Sequence, residues 1–593
     1  MDTSYRDGFQ SVFGARAITK DFLPAVEAAV EAGITHFEAG GGARFQSLFL
    51  YCGESAFDMM DSFRKASGPK AKLQTLARGI NVVALSAQPK DMIDLHAKMF
   101  KKHGMSHIRN FDALNDVRNL IYSGQCIVNA GLHHQIAVTM MELPPGCTGS
   151  HDAAYYLKVL KDILDAGVPF DSVVFKDASG TSNPRKVYDT IKGAREMLGK
   201  DVIIWHHTHE TSGTGIVQYK AAIEAGADGI CLARTPLSGG TSQTDLLSMW
   251  HALKGTDYTL DIDVNKVLEA NAVANECFKD YFFPAEAQKV SPEVILSPMP
   301  GGALTANTMM MRDTGTLHLY PKVIDAMSEC VARGGFATSV TPVSQFYFQQ
   351  AYANVTLGPW KKITDGYGKM VLGYFGRTPT EPDPEIIKIA EQQMGKPRFR
   401  GDPLSILEPG IPKATKILKD EGLPVTDENI FIVGALATPG GNKGLDFLKG
   451  NFEIRVRKIT PEAKDTAPAV SAPSAKATAS VGGGTGAYKV TVDGRSYDVT
   501  VEEASGQVTS VKQAALPPVA AAGGTPVKAK VPGNVLNIKV QVGSKVKKGD
   551  EVIVLEAMKM ETPVSSPANG TVASIDVKKG QIVKTGDLLM TIS

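Results

Sequence analysis

The sequence predicts a (β/α)8 barrel joined through a flexible linker to a small all-β domain, and three observations predict it. Strand-like runs alternate with amphipathic stretches over the first 285 residues, polar residues gather where several of those runs end, and residues 527–593 carry a duplicated short-strand pattern beyond an Ala/Pro-rich break. The runs are residues 34–38, 73–77, 107–111, 135–139, 172–176, 202–206 and 229–233, with helical stretches such as 22–32 and 155–166 between them. A short first strand ending near Tyr5 completes eight. A doubly wound sheet has the same alternation, so periodicity alone does not choose. The polar residues at the C-terminal ends of strands favour the barrel, whose site is assembled there.

Composition sets the boundaries. From about 461 to 486, and again from 514 to 526, the chain is Ala, Pro, Ser, Thr, Lys and Gly with almost no large apolar residue, and both stretches read as linkers. Between them, residues 487–502 alternate apolar and polar positions around Asp493-Gly494, a hairpin signal. A flexible chain of about 25 residues spans roughly 25–30 Å, enough to carry an attached domain between distant sites. The net charge of +1 gives no reason to expect nucleic acid or an anionic membrane as partner. Six scattered cysteines without a CxxC pair suit a reducing cytoplasm and argue against a disulfide scaffold or a cysteine zinc site. No apolar run reaches 18 residues and the sequence starts directly in Met1-Asp2-Thr3, so neither a membrane span nor a secretory signal is expected.

The C-terminal unit is built twice. Pro532-Gly533-Asn534-Val535 through Gly549-Asp550 is echoed by Pro567-Ala568-Asn569-Gly570 through Gly586-Asp587, each copy alternating and ending in a Gly-Asp turn. Between the copies Glu556-Ala557-Met558-Lys559-Met560-Glu561 sets a lysine between two methionines on an expected hairpin tip, where it is placed for modification. The unit resembles a biotinyl carrier domain, and the resemblance implies biotin attached covalently to Lys559 by a biotin protein ligase.

The polar strand ends supply a second motif set. Arg6-Asp7-Gly8-Phe9-Gln10 follows the first strand, Lys176-Asp177-Ala178-Ser179-Gly180 the sixth, and His206-His207-Thr208-His209-Glu210 the seventh. Residues i and i+2 of a strand face the same way, so His207 and His209 point at one ion while His206 points elsewhere. With Asp7 they make three ligands for a divalent ion such as zinc or manganese.

These motifs are similar to the carboxyltransferase of the pyruvate carboxylase, oxaloacetate decarboxylase α-subunit and transcarboxylase family, a likeness that runs along essentially the whole chain. It implies a barrel over 1–285, an α-rich carboxyltransferase extension over 286–460, the linkers and hairpin over 461–526 and the biotinyl carrier over 527–593. By motif, Asp7, His207 and His209 bind the metal and Lys176 is a carbamylated fourth ligand, a buried neutral lysine being able to capture carbon dioxide. Without the carbamate, Lys176 would be a salt-bridge partner of Asp7 or Asp177. Thr305 of Pro300-Gly301-Gly302-Ala303-Leu304-Thr305 relays a proton between the substrate methyl and biotin, Gln10 and Arg6 line the site, and Arg109 is a substrate-side arginine or a structural ion pair.

One segment departs from the family. Where Gly-Gly-Ala-Thr-Phe-Asp is followed by an arginine that holds the 2-oxo acid carboxylate, this chain reads Gly41-Gly42-Ala43-Arg44-Phe45-Gln46, with Leu50 at the arginine's place. Arg44 is the expected substitute guanidinium; otherwise the substrate is a different 2-oxo acid. The expected activity is reversible carboxyl transfer between carboxybiotin and pyruvate. No Gly-x4-Gly-Lys-Ser/Thr loop is present, so a separate ATP-dependent biotin carboxylase subunit is the expected partner, or a sodium-pumping membrane decarboxylase subunit. A homo-oligomer is expected. Metal-dependent aldolases and acyl-CoA lyases share Arg-Asp-Gly-x-Gln and His-x-His but lack the lysine motif and the carrier, and a barrel reduced to a scaffold is the remaining alternative.

Overall fold

Seven parallel strands form one sheet in chain order: β1 (His36–Glu38), β2 (Lys72–Ala77), β3 (His107–Phe111), β4 (His133–Met140), β5 (Ser172–Asp177), β6 (Ile203–His207) and β7 (Gly229–Ile230). The structure is a computed structural model that describes residues 1–438, 441–459, 486–492, 495–501, 511–513, 524–557 and 560–593. The two edges of the sheet meet at the N-terminus. Asp2 bridges Phe37 on one side and Leu232 on the other, its N–H donating to His36 O at 2.9 Å while the Thr3 N–H donates to Leu232 O at 2.8 Å. The eighth stave therefore ends at Thr3 rather than near Tyr5, because a π-helical turn over Ser4–Gly8 begins at once. Closure leaves the sheet no open edge.

Amphipathic helices ring the strands, and their starts are written in the sequence. Asp152 accepts the Tyr155 N–H and Asn183 accepts the Lys186 N–H, with Pro184 at the first position of Pro184–Leu198. Helix Val264–Phe278 closes the ring against Thr19–Glu31 and brings Phe278 within 5.6 Å of Phe9, ring centre to ring centre. This edge-to-face pair belongs to an aromatic cluster with Phe13, Phe22 and Tyr281 that fixes the turn carrying Asp7 and Gln10.

Beyond residue 285 the chain is helical, and it divides between two cores. Leu304, Met327 and Tyr347, from helices Gly301–Asp313, Tyr320–Arg333 and Val343–Leu357, share one apolar cluster with Leu76, Phe111 and Ala137 of the strands, roofing the C-terminal mouth. Helices Gly410–Asp420 and Asp427–Ala435 pack elsewhere: Leu418 and Phe431 lie with Phe57, Met92 and Phe100 on the barrel's outer helices. The α-rich segment thus serves a roof and a flank. It returns to the barrel at an antiparallel bridge between Tyr281 and Lys458.

The expected hairpin has strands Gly486–Val492 and Arg495–Val501 paired from Gly486–Val501 to Val492–Arg495, with a third strand at Val511–Gln513. Its Asp493-Gly494 turn lies outside the described residues, as does Lys559. The C-terminal unit is two four-stranded antiparallel sheets around Val535, Leu555, Val572 and Leu589. Its duplication survives in detail: Asp550 accepts the Lys547 N–H at 2.8 Å and Asp587 accepts the Lys584 N–H at 2.7 Å. Each of these turns carries a left-handed glycine, Gly549 and Gly586. Glu551–Ala557 pairs with Met560–Ser565 up to Ala557–Met560. Among the described residues no helix is long and apolar enough to cross a membrane.

Candidate metal centre and active site

Three side chains converge at the barrel mouth. His207 ends β6, His209 follows two residues on, and Asp7 sits on the π-helical turn after the first stave. Asp7 Oδ2 is 3.1 Å from His207 Nε2 and 3.4 Å from His209 Nε2, and the two Nε2 atoms are 3.3 Å apart. All three residues are buried, and Asp7 Oδ2 has no hydrogen-bond partner. His209 donates from Nδ1 to Thr241 O at 2.8 Å, which orients the ring with Nε2 toward Asp7. Three ligand atoms aimed at one point, two of them imidazole nitrogens and one a carboxylate oxygen that holds no hydrogen bond of its own, fit a divalent ion.

The charges around this point favour an ionised carboxylate. Burial opposes ionisation of Asp7, but Arg6, then His209 and Lys176, outweigh it and hold the carboxyl well below the usual range. Arg6 NH2 lies 2.9 Å from Asp7 and 2.6 Å from Glu38, and its NH1 donates to Gln10 Oε1 at 3.3 Å, leaving the Gln10 amide nitrogen for another partner. Lys176 Nζ stands 3.7 Å from Asp7 Oδ2; burial, against the pull of Asp7, pushes its pKa down to about 8. Asp177 takes no part in this pairing. It accepts the N–H groups of Ser179, Gly180 and Ser182 and shapes the loop after β5. Asp7, Gln10, Lys176 and His209 line one pocket, roofed by Pro300 and Gly302. The roof demands glycine. A Cβ on Gly301 would stand 1.7 Å from Thr241 O, and one on Gly302 2.8 Å from Gln10 Cγ.

Residues 294–500 match the family model described as the conserved carboxylase domain, and residues 523–592 match that of biotin-requiring enzymes. A pyruvate carboxylase subunit of Methanocaldococcus jannaschii is 31% identical over 565 residues, covering 94% of this chain and 94% of its own. The chain belongs to the biotin-dependent carboxyltransferase family. The methylmalonyl-CoA carboxyltransferase 5S subunit of Propionibacterium freudenreichii is 29% identical over 72% of this chain and 83% of its own. The carboxyl transferase domain of Rhizobium etli pyruvate carboxylase, solved with pyruvate and biocytin, superposes with a TM-score of 0.67 at 26% identity, over 76% of this chain and 77% of its own. Family membership sets aside the aldolase, lyase and scaffold readings.

The carboxyltransferase pocket does not gather every expected residue. Arg44 is fully buried on helix Ala43–Ser47, where NH1 donates to Ala15 O at 2.8 Å and the guanidinium lies over the rings of Phe9 and Phe22. It is therefore no substitute at the pocket; the aromatic core behind the Gln10 helix holds it. Leu50, in a second π-helical turn over Leu48–Cys52, is also outside the pocket lining. Arg109 lies inside the barrel beside the Asp7, His207 and His209 cluster, bonded to Gln135 at 2.6 Å and Cys231 at 3.2 Å and facing His207 Nδ1 at 3.2 Å. That makes it a support rather than a wall of the pocket. The Thr305 hydroxyl donates to Ser11 O at 2.5 Å and lies 3.2 Å from Thr241 Oγ1, outside the pocket lining. The sequence reading missed Glu38, at the end of β1, and Arg78, just past β2. Both carry the signal that found Lys176 and His207, a polar side chain at the C-terminal end of a barrel strand.

Proposed function

We propose that this carboxyltransferase moves a carboxyl group reversibly between biotin on Lys559 and pyruvate, with oxaloacetate as the product. The observation that supports this most is one pocket lined by Asp7, His209, Lys176, Arg6 and Gln10, with His207 completing the buried Asp7, His207 and His209 cluster, on a chain that carries a match to biotin-requiring enzymes over residues 523–592. Asp7 Oδ2, His207 Nε2 and His209 Nε2 would hold a divalent ion, zinc or manganese, and a carbamate on Lys176 would be the fourth ligand. Bound, the metal supplies Lewis acidity at the 2-oxo oxygen, and biotin supplies or receives the carboxyl group.

The chain's own residues do the rest. Neutral Lys176 Nζ attacks carbon dioxide: the N–C bond forms as one C=O π pair moves onto oxygen, and the displaced amine proton leaves to water, giving the anionic carbamate; burial favours the neutral amine this requires. Arg6, clamped by Asp7 and Glu38, and the free amide nitrogen of Gln10 donate to the oxygen on which enolate charge develops. Leu76, Phe111 and Val340 exclude water from that side of the pocket. Thr305 relays the proton between the substrate methyl and the carrier after its hydroxyl turns away from Ser11 O. The name of the M. jannaschii relative, which marks it as one subunit of a carboxylase, supports a separate ATP-dependent biotin carboxylase as partner. A biotin protein ligase acting on Lys559, a homo-oligomeric core and a cytoplasmic setting complete the reading.

The test is Lys559-dependent loss of oxaloacetate to pyruvate by purified, biotinylated, metal-loaded protein, with Lys559→Ala as control. Turnover that vanishes in the variant supports the reading. Metal-loaded, biotinylated protein that leaves oxaloacetate untouched would sink it.

A further inference from the structure

β6 ends at His207, so its ladder does not hold His209, which lies two residues farther on in the loop. Groups from other loops hold that ring instead. Its edge is fixed where Nδ1 meets Thr241 O at 2.8 Å, and Gly301 stands so close that a Cβ there would lie 3.0 Å from the same nitrogen. Gln243 holds the face. Its amide nitrogen is 2.9 Å from His209 Nε2 and 3.4 Å from His209 Nδ1, and a donor on the outward axis of Nε2 would stand much farther from Nδ1 than that. The amide is therefore over the ring plane, where an N–H meets the π face. It leaves open the edge of Nε2 that looks at Asp7 Oδ2, 3.4 Å away.

The other end of Gln243 is anchored in the stave that closes the barrel. Oε1 is 2.8 Å from Thr3 Oγ1 and 3.3 Å from Ser242 Oγ, and Thr3 Oγ1 is also 2.9 Å from Leu232 O. Gln243 and Thr3 are both fully buried. Thr3 carries the Asp7 turn as well: its carbonyl accepts the N–H of Arg6 at 3.2 Å and of Gly8 at 3.0 Å, on either side of Asp7. One run of contacts, from the Asp7 turn through Thr3 and Gln243 to His209, thus joins two of the three ligands. Both ends of the carboxamide are engaged, and leaving either unpaired in a buried place is costly, so the run resists sliding. An ion binds tightest where its ligand atoms already stand at the right separation, and the outer partners of ligating imidazoles typically contribute about 10- to 100-fold in affinity.

We propose that Gln243 is a positioning residue of the metal centre, and that with Thr3 it forms a strut that sets the spacing of His209 from Asp7. This rests on the reading of the Asp7, His207 and His209 cluster as a metal site. Neither Gln243 nor Thr3 lines the pocket, so the strut acts through His209 and not on the substrate.

The experiment uses full-length, biotinylated protein stripped with a chelator and titrated with cobalt(II), whose visible d–d bands report ligand geometry as well as occupancy. Gln243→Met keeps the length and removes both ends of the amide, Thr3→Val keeps the shape and removes the hydroxyl, and Thr3→Ser retains it. Gln243→Met is expected to raise the cobalt Kd on the order of 30-fold and to shift the bands, and Thr3→Val to raise it about fivefold with a shift in the same direction. Thr3→Ser should stay within about twofold of wild type. In a strut the two losses overlap, so the double variant Thr3→Val with Gln243→Met should bind cobalt within about twofold of Gln243→Met alone. Thermal unfolding reports an intact fold in each variant, and if Gln243→Met does not fold, the comparison of Thr3→Val with Thr3→Ser decides. Wild-type affinity or unchanged bands in folded Gln243→Met, losses that multiply in the double variant, or Thr3→Ser as weak as Thr3→Val overturn the strut. Wild-type protein that binds no cobalt overturns the metal centre itself instead.

Discussion

Histidines crowd both ends of this barrel, and only one end makes a site. At the mouth, His207 and His209 turn two nitrogens to within 3.4 Å of one carboxylate oxygen. At the floor, His36, His107 and His133 begin β1, β3 and β4 and lie side by side as tilted rings, with ring centres 5.2 and 4.4 Å apart. The floor rings meet hydroxyls instead: His107 Nδ1 is 2.8 Å from Ser106 Oγ and His133 Nε2 is 2.9 Å from Ser172 Oγ, while Asp171 stays 3.8 Å from His133. Residue type is the same at both ends. What differs is convergence of lone pairs on one point beside an ionised carboxylate, which the mouth has and the floor lacks.

Removing one imidazole at each end is the strongest way to break that comparison. His209→Ala should lose bound divalent metal and cut Lys559-dependent turnover more than about 100-fold, beyond what loss of an outer partner costs. His107→Ala should keep both within about threefold. Elemental analysis and oxaloacetate assays decide, and metal loss in the floor variant would show that the two ends are not separate in function.

The next effect sharpens the mouth itself. Glu38 touches no ligand atom of the cluster but clamps Arg6 at 2.6 Å, so Glu38→Gln should lower turnover about 10- to 100-fold with the fold intact. Activity equal to wild type would mean that Asp7 alone orients Arg6.

The floor has its own signature in pH. Burial lowers the pKa of His36 to about 2 and of His107 to about 3. Below about pH 6.5 the unfolded chain takes up these protons and the folded chain does not. Stability is therefore lost as pH falls from 6.5 toward 3, by up to about 1.4 kcal/mol per pH unit for each ring. His107→Gln should flatten the fall in Tm between pH 6.5 and 4.5 by the equivalent of roughly 1–2 kcal/mol. Identical acid limbs would place the proton uptake elsewhere.

The smallest expected effect concerns Arg44. Arg44→Met should leave the oxaloacetate KM within about twofold and change stability by about 1 kcal/mol or less, since its Nε and NH2 have no partner and Ser47 also donates to Ala15 O. A large rise in KM would return Arg44 to the substrate.

Legibility followed spacing. Strand-ends in β5 and β6 made Lys176 and His207 readable, because period two puts alternate residues on one face and a barrel opens its site at that end. The duplicated Gly-Asp turns were equally plain, each repeat keeping its own Asp-to-lysine N–H bond. Arg44 misled because a motif offset gives a position along the chain and not a direction. Its helix begins just after Gly42, at φ +65°, and sends the side chain toward Ala15. Thr305 kept its place in the Pro-Gly-Gly motif, yet its hydroxyl was already taken by Ser11 O.

By itself the sequence determined the alternation of strand and helix, the seam before the carrier, the lysine between two methionines and the His-x-His pair. These are local, set by period, composition and turn chemistry. Only the tertiary structure decided that Asp2 would close the ring, that Asp7 Oδ2 would lie between two imidazoles, and that Arg78 rather than Arg44 would face the pocket without a counter-charge. Those outcomes depend on which distant groups share a buried volume, where each charge must be matched by another or by a ligand, and no spacing along one strand encodes that matching.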